Sequence, residues 1–256
     1  MSEPRPVDFH VHLDLYPDME EAFDYCVSRK AIALVVTTTP RAFERNIEIA
    51  DGRPDIHVGL GIHPQLVGGD RREIERFEQL AERTRFIGEI GLDASREHYG
   101  SFDKQQKAFD RALNICHEMS GKVISVHSVR TASKVLSAIE KSRVFETCQI
   151  VLHWFSGSKA EISRAASMGC MFSLNEAHLR TDAGIRLVRN APTSSLLTET
   201  DGPFLLRDDV VVGPSDVANA VRALSQLLDL PARPVAQMIE ENARRALERK
   251  HAVISA

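Results

Sequence analysis

Apolar positions along the chain follow two alternating rhythms. Short aliphatic or β-branched runs at Val7 to His12, Ala33 to Thr37, His57 to Gly61, Phe86 to Ile90, Lys122 to Val126, Gln149 to Leu152, Met171 to Leu174 and Ser194 to Thr198 read as strands. Longer stretches with helical spacing separate them, including Met19 to Lys30, a helix with Thr39 as cap and Pro40 as first residue, and a charged stretch around Arg71 to Arg83. Two more helices are expected near Ser215 to Leu228 and Pro231 to Glu248. In the first, Val217, Val221, Leu224 and Leu228 form a stripe suited to core packing. Eight strands alternating with helices over 256 residues predict a TIM (β/α)8 barrel, with an open doubly wound sheet as the alternative. No internal repeat or low-complexity linker interrupts the pattern, so one domain over residues 1–256 is expected.

Composition narrows the setting. An apolar content of 43% supports a real core, while no apolar run reaches the roughly 18 residues of a membrane span. The opening Met-Ser-Glu-Pro-Arg-Pro lacks the apolar centre of a signal peptide. Cys26, Cys116, Cys148 and Cys170 lie far apart without a Cys-x-x-Cys pair, which argues against a disulfide framework and a zinc knuckle. A cytoplasmic protein without a membrane partner is therefore expected. A net charge of −4 excludes a globally basic nucleic-acid binder, but not a cleft whose positive charge is local or metallic.

The polar residues that do not fit a core gather at the C-terminal ends of the expected strands, the face on which barrels build active sites. His10 and His12 end the first run, and their spacing puts both imidazoles on one face of a strand. His63 follows the third run, Glu89 lies in the fourth, His127 and His153 close the fifth and sixth, and Asp201 follows the eighth. One histidine alone is more often structural. The whole set at one barrel mouth favours a metal site. It exceeds the three protein ligands of a single catalytic zinc but suits two ions sharing a carboxylate, with Glu89 as the bridge and Asp201 completing the first shell. Two divalent ions carry four positive charges and two carboxylates cancel half of them, so the site would attract an anion such as a phosphodiester. Nitrogen-rich ligation favours zinc or manganese over magnesium, although metal availability can override that preference.

With those residues in place, the sequence resembles the TatD family of metal-dependent deoxyribonucleases. The resemblance rests on Asp8-Phe9-His10-Val11-His12, Gly-Ile-His63-Pro, Gly-Glu89-Ile-Gly-Leu-Asp93, Val-His127-Ser, His153-Trp154-Phe-Ser-Gly and Thr-Glu199-Thr-Asp201-Gly-Pro, and spans nearly the whole chain. It implies a barrel hydrolase with one or two divalent ions (Zn, Mn or Mg) that trims single-stranded DNA from the 3′ end. Carried over, His10, His12, Glu89 and Asp201 hold one ion, Glu89, His127 and His153 hold the other, and His63 contacts the substrate phosphate. Glu89 and Asp201 are then the catalytic carboxylates, and Asn242 in the last helix is read as structural. Residues 12–18, Thr-Thr-Thr-Pro, His-Pro-Gln and His-Trp-Phe-Ser-Gly-Ser resemble the QatD-type members found in Qat anti-phage defence systems, which implies other Qat proteins as partners.

The departures concern substrate handling. Gln65 stands where the family has a second histidine after His63-Pro64, Trp154 replaces a cysteine, and Val129 replaces an arginine. Arg130 either takes over from that arginine or is an exposed residue opening a helix. Trp154 either stacks on a base or packs beside the mouth. Asp8 and Asp93 are candidates to orient the histidines, or plain polar residues of the barrel layers. Two other functions compete with the nuclease. A small-molecule amidohydrolase shares this layout but usually bridges its metals through a carboxylated strand-four lysine where this chain has Glu89. A barrel kept as an interaction subunit of a defence complex would not need every ligand.

Overall fold

The structure, a computed structural model, describes residues 3–68, 71–207 and 210–248. Eight parallel strands alternate with helices: β1 (Val7–Val11), β2 (Ile32–Val36), β3 (Ile56–Gly59), β4 (Phe86–Asp93), β5 (Val123–Val129), β6 (Gln149–His153), β7 (Met171–Leu174) and β8 (Leu196–Thr198). Ladders join β1-β2-β3 and β4-β5-β6-β7-β8. Two seams close the ring. Leu60 and Ile87 bridge β3 to β4, and the Thr198 hydroxyl donates to the Val7 carbonyl at 2.6 Å between β8 and β1. This is the expected (β/α)8 barrel. The ends of the expected 1–256 domain, residues 1–2 and 249–256, lie outside the described residues.

Strands β1 and β2 are buried along their whole length, because one face packs on the helices and the other fills the barrel. Phe9 and Val11 belong to the apolar core, whereas His10 meets Ser125 of β5 and Asp8 meets Thr200 in the loop after β8. The helices are α1 (Met19–Ser28), α2 (Pro40–Ala50), α3 (Arg71–Ala81), α4 (Phe102–Met119), α5 (Ala132–Ser142), α6 (Lys159–Ser167), α7 (Glu176–Leu179), α8 (Asp182–Asn190), α9 (Ala218–Leu228) and α10 (Ala232–Glu248). Local chemistry starts several of them. Asp18 accepts from the Glu21 N–H at 2.9 Å, and Ser158 and Glu161 form a capping box on α6. Of the expected stripe, Val221, Leu224 and Leu228 pack on the core from α9, while Val217 is buried as the residue that precedes the helix. Asn242 donates to the carbonyls of Thr193 and Leu196 at 2.9 and 2.8 Å, tying α10 to the start of β8.

The structure departs from the sequence pattern in a few places. Strand β5 runs on to Val129, so His127 lies inside it instead of closing it. Residues Thr193–Ser195 form a 3-10 turn before β8, and the gap after β7 holds the two helices α7 and α8. The two-residue strands β9 (Leu206–Arg207) and β10 (Val210–Val211) pair antiparallel beyond β8, too short to show a period in sequence. The four cysteines are buried and form no disulfide among the described residues. Among the described residues no helix is long and apolar enough to cross a membrane.

Candidate metal centre

The C-terminal mouth gathers His10, His12, His63, Glu89, His127, His153 and Asp201 around the carboxylate of Glu89. Its two oxygens face different imidazoles. Oε2 lies 3.3 Å from His10 Nε2, 3.4 Å from His12 Nε2 and 3.3 Å from His63 Nε2. Oε1 lies 2.7 Å from His127 Nδ1 and 4.0 Å from His153 Nε2. Asp201 reaches in from the loop after β8, with Oδ1 3.7 Å from both His10 Nε2 and His12 Nε2, and Oδ2 3.9 Å from His153 Nε2. Three ligand sets form: His10-His12-Asp201, His10-Glu89-His153 and His63-Glu89-His127. His63, expected on the substrate, lies close enough to Glu89 and His127 to share a cation with them, and His127 and His153 fall into different sets.

Close backbone approach makes this gathering possible. A Cβ on Gly91 would lie 2.1 Å from the His127 carbonyl oxygen, so only glycine lets β4 run this close to β5. At Gly61 an added Cβ would meet the Thr37 carbonyl oxygen at 1.6 Å, which keeps the segment leading to His63 against β2.

Supporting side chains aim the imidazoles. His10 Nδ1 lies 2.8 Å from Ser125 Oγ across the barrel, leaving Nε2 toward the cluster. His153 Nδ1 donates to Glu199 Oε2 at 2.8 Å, and Asn175 donates to Glu199 Oε1 at 2.9 Å. His127 Nε2 donates to Asp93 Oδ2 at 3.0 Å, the orienting role considered for Asp93. Asp8 does not share it. Its carboxylate instead accepts from the Thr200 N–H and hydroxyl and the Ser215 N–H at 2.8, 2.6 and 2.9 Å, because these donors crowd it from the β8 side. Asp8 thus pins the loop that carries Asp201. Sequence reasoning passed over Ser125, Asn175 and Glu199, although Glu199 lies inside the Thr-Glu-Thr-Asp motif.

The buried carboxylates and imidazoles shift one another. Burial raises the Glu89 pKa, but His63, His10 and His127 outweigh it and hold the carboxyl well below its usual range. Burial pushes Asp201 up to about 6, against the pull of His153 and His12. Burial lowers His127 and His153, yet Glu89 and Asp93 raise the first to about 9, and Glu199 and Asp201 raise the second to about 10. His10 goes the other way, lowered by burial and by His153. Its Nε2 and His12 Nδ1 are buried without a hydrogen-bond partner, a costly state that metal ligation by His10 Nε2 would relieve. This donor set fits divalent transition ions.

Around the cluster, Trp154 is half-buried with φ of 41°, edge-on to His153 at 6.3 Å between ring centroids. Arg130 is exposed in a turn with φ of 55°, before α5 and not within it. Gln65 donates to Asp93 at 2.8 Å, so the residue in place of the family's second histidine braces the holder of His127.

Comparison with known proteins finds relatives over most of the chain. The family model described as "TatD related DNase" matches residues 7–248. The "Uncharacterized metal-dependent hydrolase YjjV" of Escherichia coli strain K12 is 27% identical, covering 93% of this chain and 96% of that protein. The "3'-5' ssDNA/RNA exonuclease TatD" of Pectobacterium atrosepticum is 26% identical over 83% of this chain and 86% of its own length. The crystal structure of YjjV superposes with a TM-score of 0.82 at 25% identity, covering 94% of this chain and 96% of that one.

Proposed function

The chain belongs to the TatD-related DNase family, and from that premise we propose that it is a metal-dependent phosphodiester hydrolase that trims single-stranded DNA from the 3′ end. The observation that carries this reading is the Glu89 carboxylate, whose two oxygens face separate groups of imidazoles. His10, His12, Glu89, His127, His153 and Asp201 would hold one or two divalent ions. Bound there, such ions supply Lewis acidity to a phosphoryl oxygen and make water a stronger nucleophile at neutral pH.

The chain's own residues do the rest. Glu89 holds the two halves of the cluster at a fixed spacing. Asp201, pushed up to about 6, is placed to take the proton of the attacking water near neutral pH. His63, Arg130 and Trp154 meet the substrate, with Trp154 offering a face to a base. The name of the Pectobacterium relative, a 3'-5' ssDNA/RNA exonuclease, supports the polarity and the single-stranded substrate.

The test compares linear with covalently closed circular single-stranded DNA of one sequence, in zinc, manganese or magnesium. Stepwise shortening of the linear strand with circles intact is expected; equal cutting of both overturns the end-directed reading. On the stretches that resemble QatD, we place the enzyme in an anti-phage defence system with other Qat proteins. If Asp201→Asn abolishes digestion but leaves phage protection whole, the barrel serves that system as an interaction subunit.

A further inference from the structure

Two aromatic rings stand exposed on the rim of the mouth, on loops held in place from below. Tyr99 is 64% exposed in the loop between β4 and α4, and Phe204 is 59% exposed in the loop after β8. In an eight-stranded ring, strands four and eight lie opposite each other, so the loops that carry the two rings follow strands on opposite sides of the mouth.

The Tyr99 loop is tied down by hydrogen bonds. Its backbone N–H donates to Ser95 O at 3.0 Å, and the Ser95 N–H donates to Asp93 Oδ1 at 2.7 Å, on the carboxylate that holds His127. Buried Gln105 accepts from the Asp93 N–H at 2.8 Å and donates to His98 O and Ser101 Oγ, both at 3.0 Å. The ring of Tyr99 lies nearly parallel to Phe102, 14° apart with centroids at 5.6 Å, and Lys134 Nζ stands 5.5 Å from the Phe102 centroid. Phe204 is fixed as well. Its N–H donates to Asp201 O at 3.0 Å, and its ring meets His12 edge-on at 5.1 Å. Braced, exposed rings next to cations are the elements that bind unpaired bases, because every base has a π-face and a duplex hides it.

We propose that Tyr99 and Phe204 are base-stacking platforms on opposite rims of the mouth, each taking one unpaired nucleobase of a DNA strand whose backbone crosses the metal cluster. The proposal rests on the phosphodiester reading for its substrate class. It accounts for a single-strand preference through the protein's own surface, and exposed Arg130 and Lys134 supply positive charge on the Tyr99 side.

The test is a coupled one. A dye-labelled, cleavage-resistant phosphorothioate strand is titrated with metal-loaded protein, and one base at a time is removed to leave an abasic site. Tyr99→Ala and Phe204→Ala should each weaken binding about 5- to 150-fold, whereas Tyr99→Phe should bind like the wild type. Each alanine variant should also lose sensitivity to base removal at one position, and the two positions should differ. Alanine variants that bind as tightly as the wild type, or that pay for every missing base as the wild type does, overturn the proposal. Hydrolysis of bis(p-nitrophenyl) phosphate by the wild type, which needs no base, is measured alongside. If that reaction is present while binding ignores the bases, stacking is wrong and the hydrolase reading stands; if it is absent while base-dependent binding persists, the reverse holds.

Discussion

Glu199 Oε2 accepts the Nδ1–H of His153 at 2.8 Å, which leaves Nε2 of that ring facing the carboxylates of Glu89 and Asp201 at 4.0 and 3.9 Å. The bond fixes both the tautomer and the direction of a proposed ligand. Glu199→Ala should lower metal affinity about 10- to 100-fold, the range for losing such a support, and Glu199→Gln should fall between it and the wild type. Competition against a chromophoric chelator measures this. Unchanged affinity in both variants would remove Glu199 from the metal centre.

Asp201 combines a position among the ligands with a carboxyl whose burial pushes it up to about 6. Asp201→Asn keeps the shape but removes a charge and a base. Turnover of a linear single strand should fall by ~10²–10⁴, with the circular dichroism spectrum intact. Undiminished turnover would contradict the role given to Asp201.

His57 gives the fold a separate response to acid. Burial in β3, with the ring stacked on Phe86 at 4.5 Å, pushes its pKa down to about 4, whereas the unfolded chain has about 6.5. Below about pH 6.5 the unfolded state takes up the proton more readily, so stability present above that pH is lost as pH falls toward 4. The loss should be about 2 kcal/mol between about pH 7.5 and pH 5. In His57→Gln the fall measured by urea unfolding should be smaller by that amount. An equal fall in both proteins would show that His57 is not the sensor.

Much of the fold and the cluster was legible in the sequence, because both have short-range signatures. Strands buried on two faces appear as uninterrupted apolar runs such as Ile32–Val36, and ligands appear as polar residues at the ends of those runs. The supports were harder to read. Ser125 faces His10 from 115 residues away, and nothing local separates it from any other serine in a strand. Asp8 looked like a partner of the histidines because alternation puts it on their face, but the donors of Thr200 and Ser215 come from the other end of the chain. His178 was equally hidden. It is fully buried with neither ring nitrogen bonded, and burial pushes its pKa down to about 4.

Metal removal should affect stability as well as activity. An ion that binds only the folded state stabilises it by mass action, and the buried His10 Nε2 makes no hydrogen bond among the described residues. Dialysis against a chelator should abolish phosphodiester hydrolysis and lower the melting temperature, and zinc or manganese should restore both. A melting temperature unmoved by chelator and by added ions would contradict a metal centre built from these side chains.

The central claim is that Glu89 divides one cluster into two cation positions. Anomalous scattering from manganese-soaked crystals tests it most directly. Two peaks about 3.5–4 Å apart are expected on the two sides of the Glu89 carboxylate, one beside His10, His12 and Asp201 and the other beside His127. Peaks away from these side chains, or a single peak that Glu89 does not touch, would contradict it.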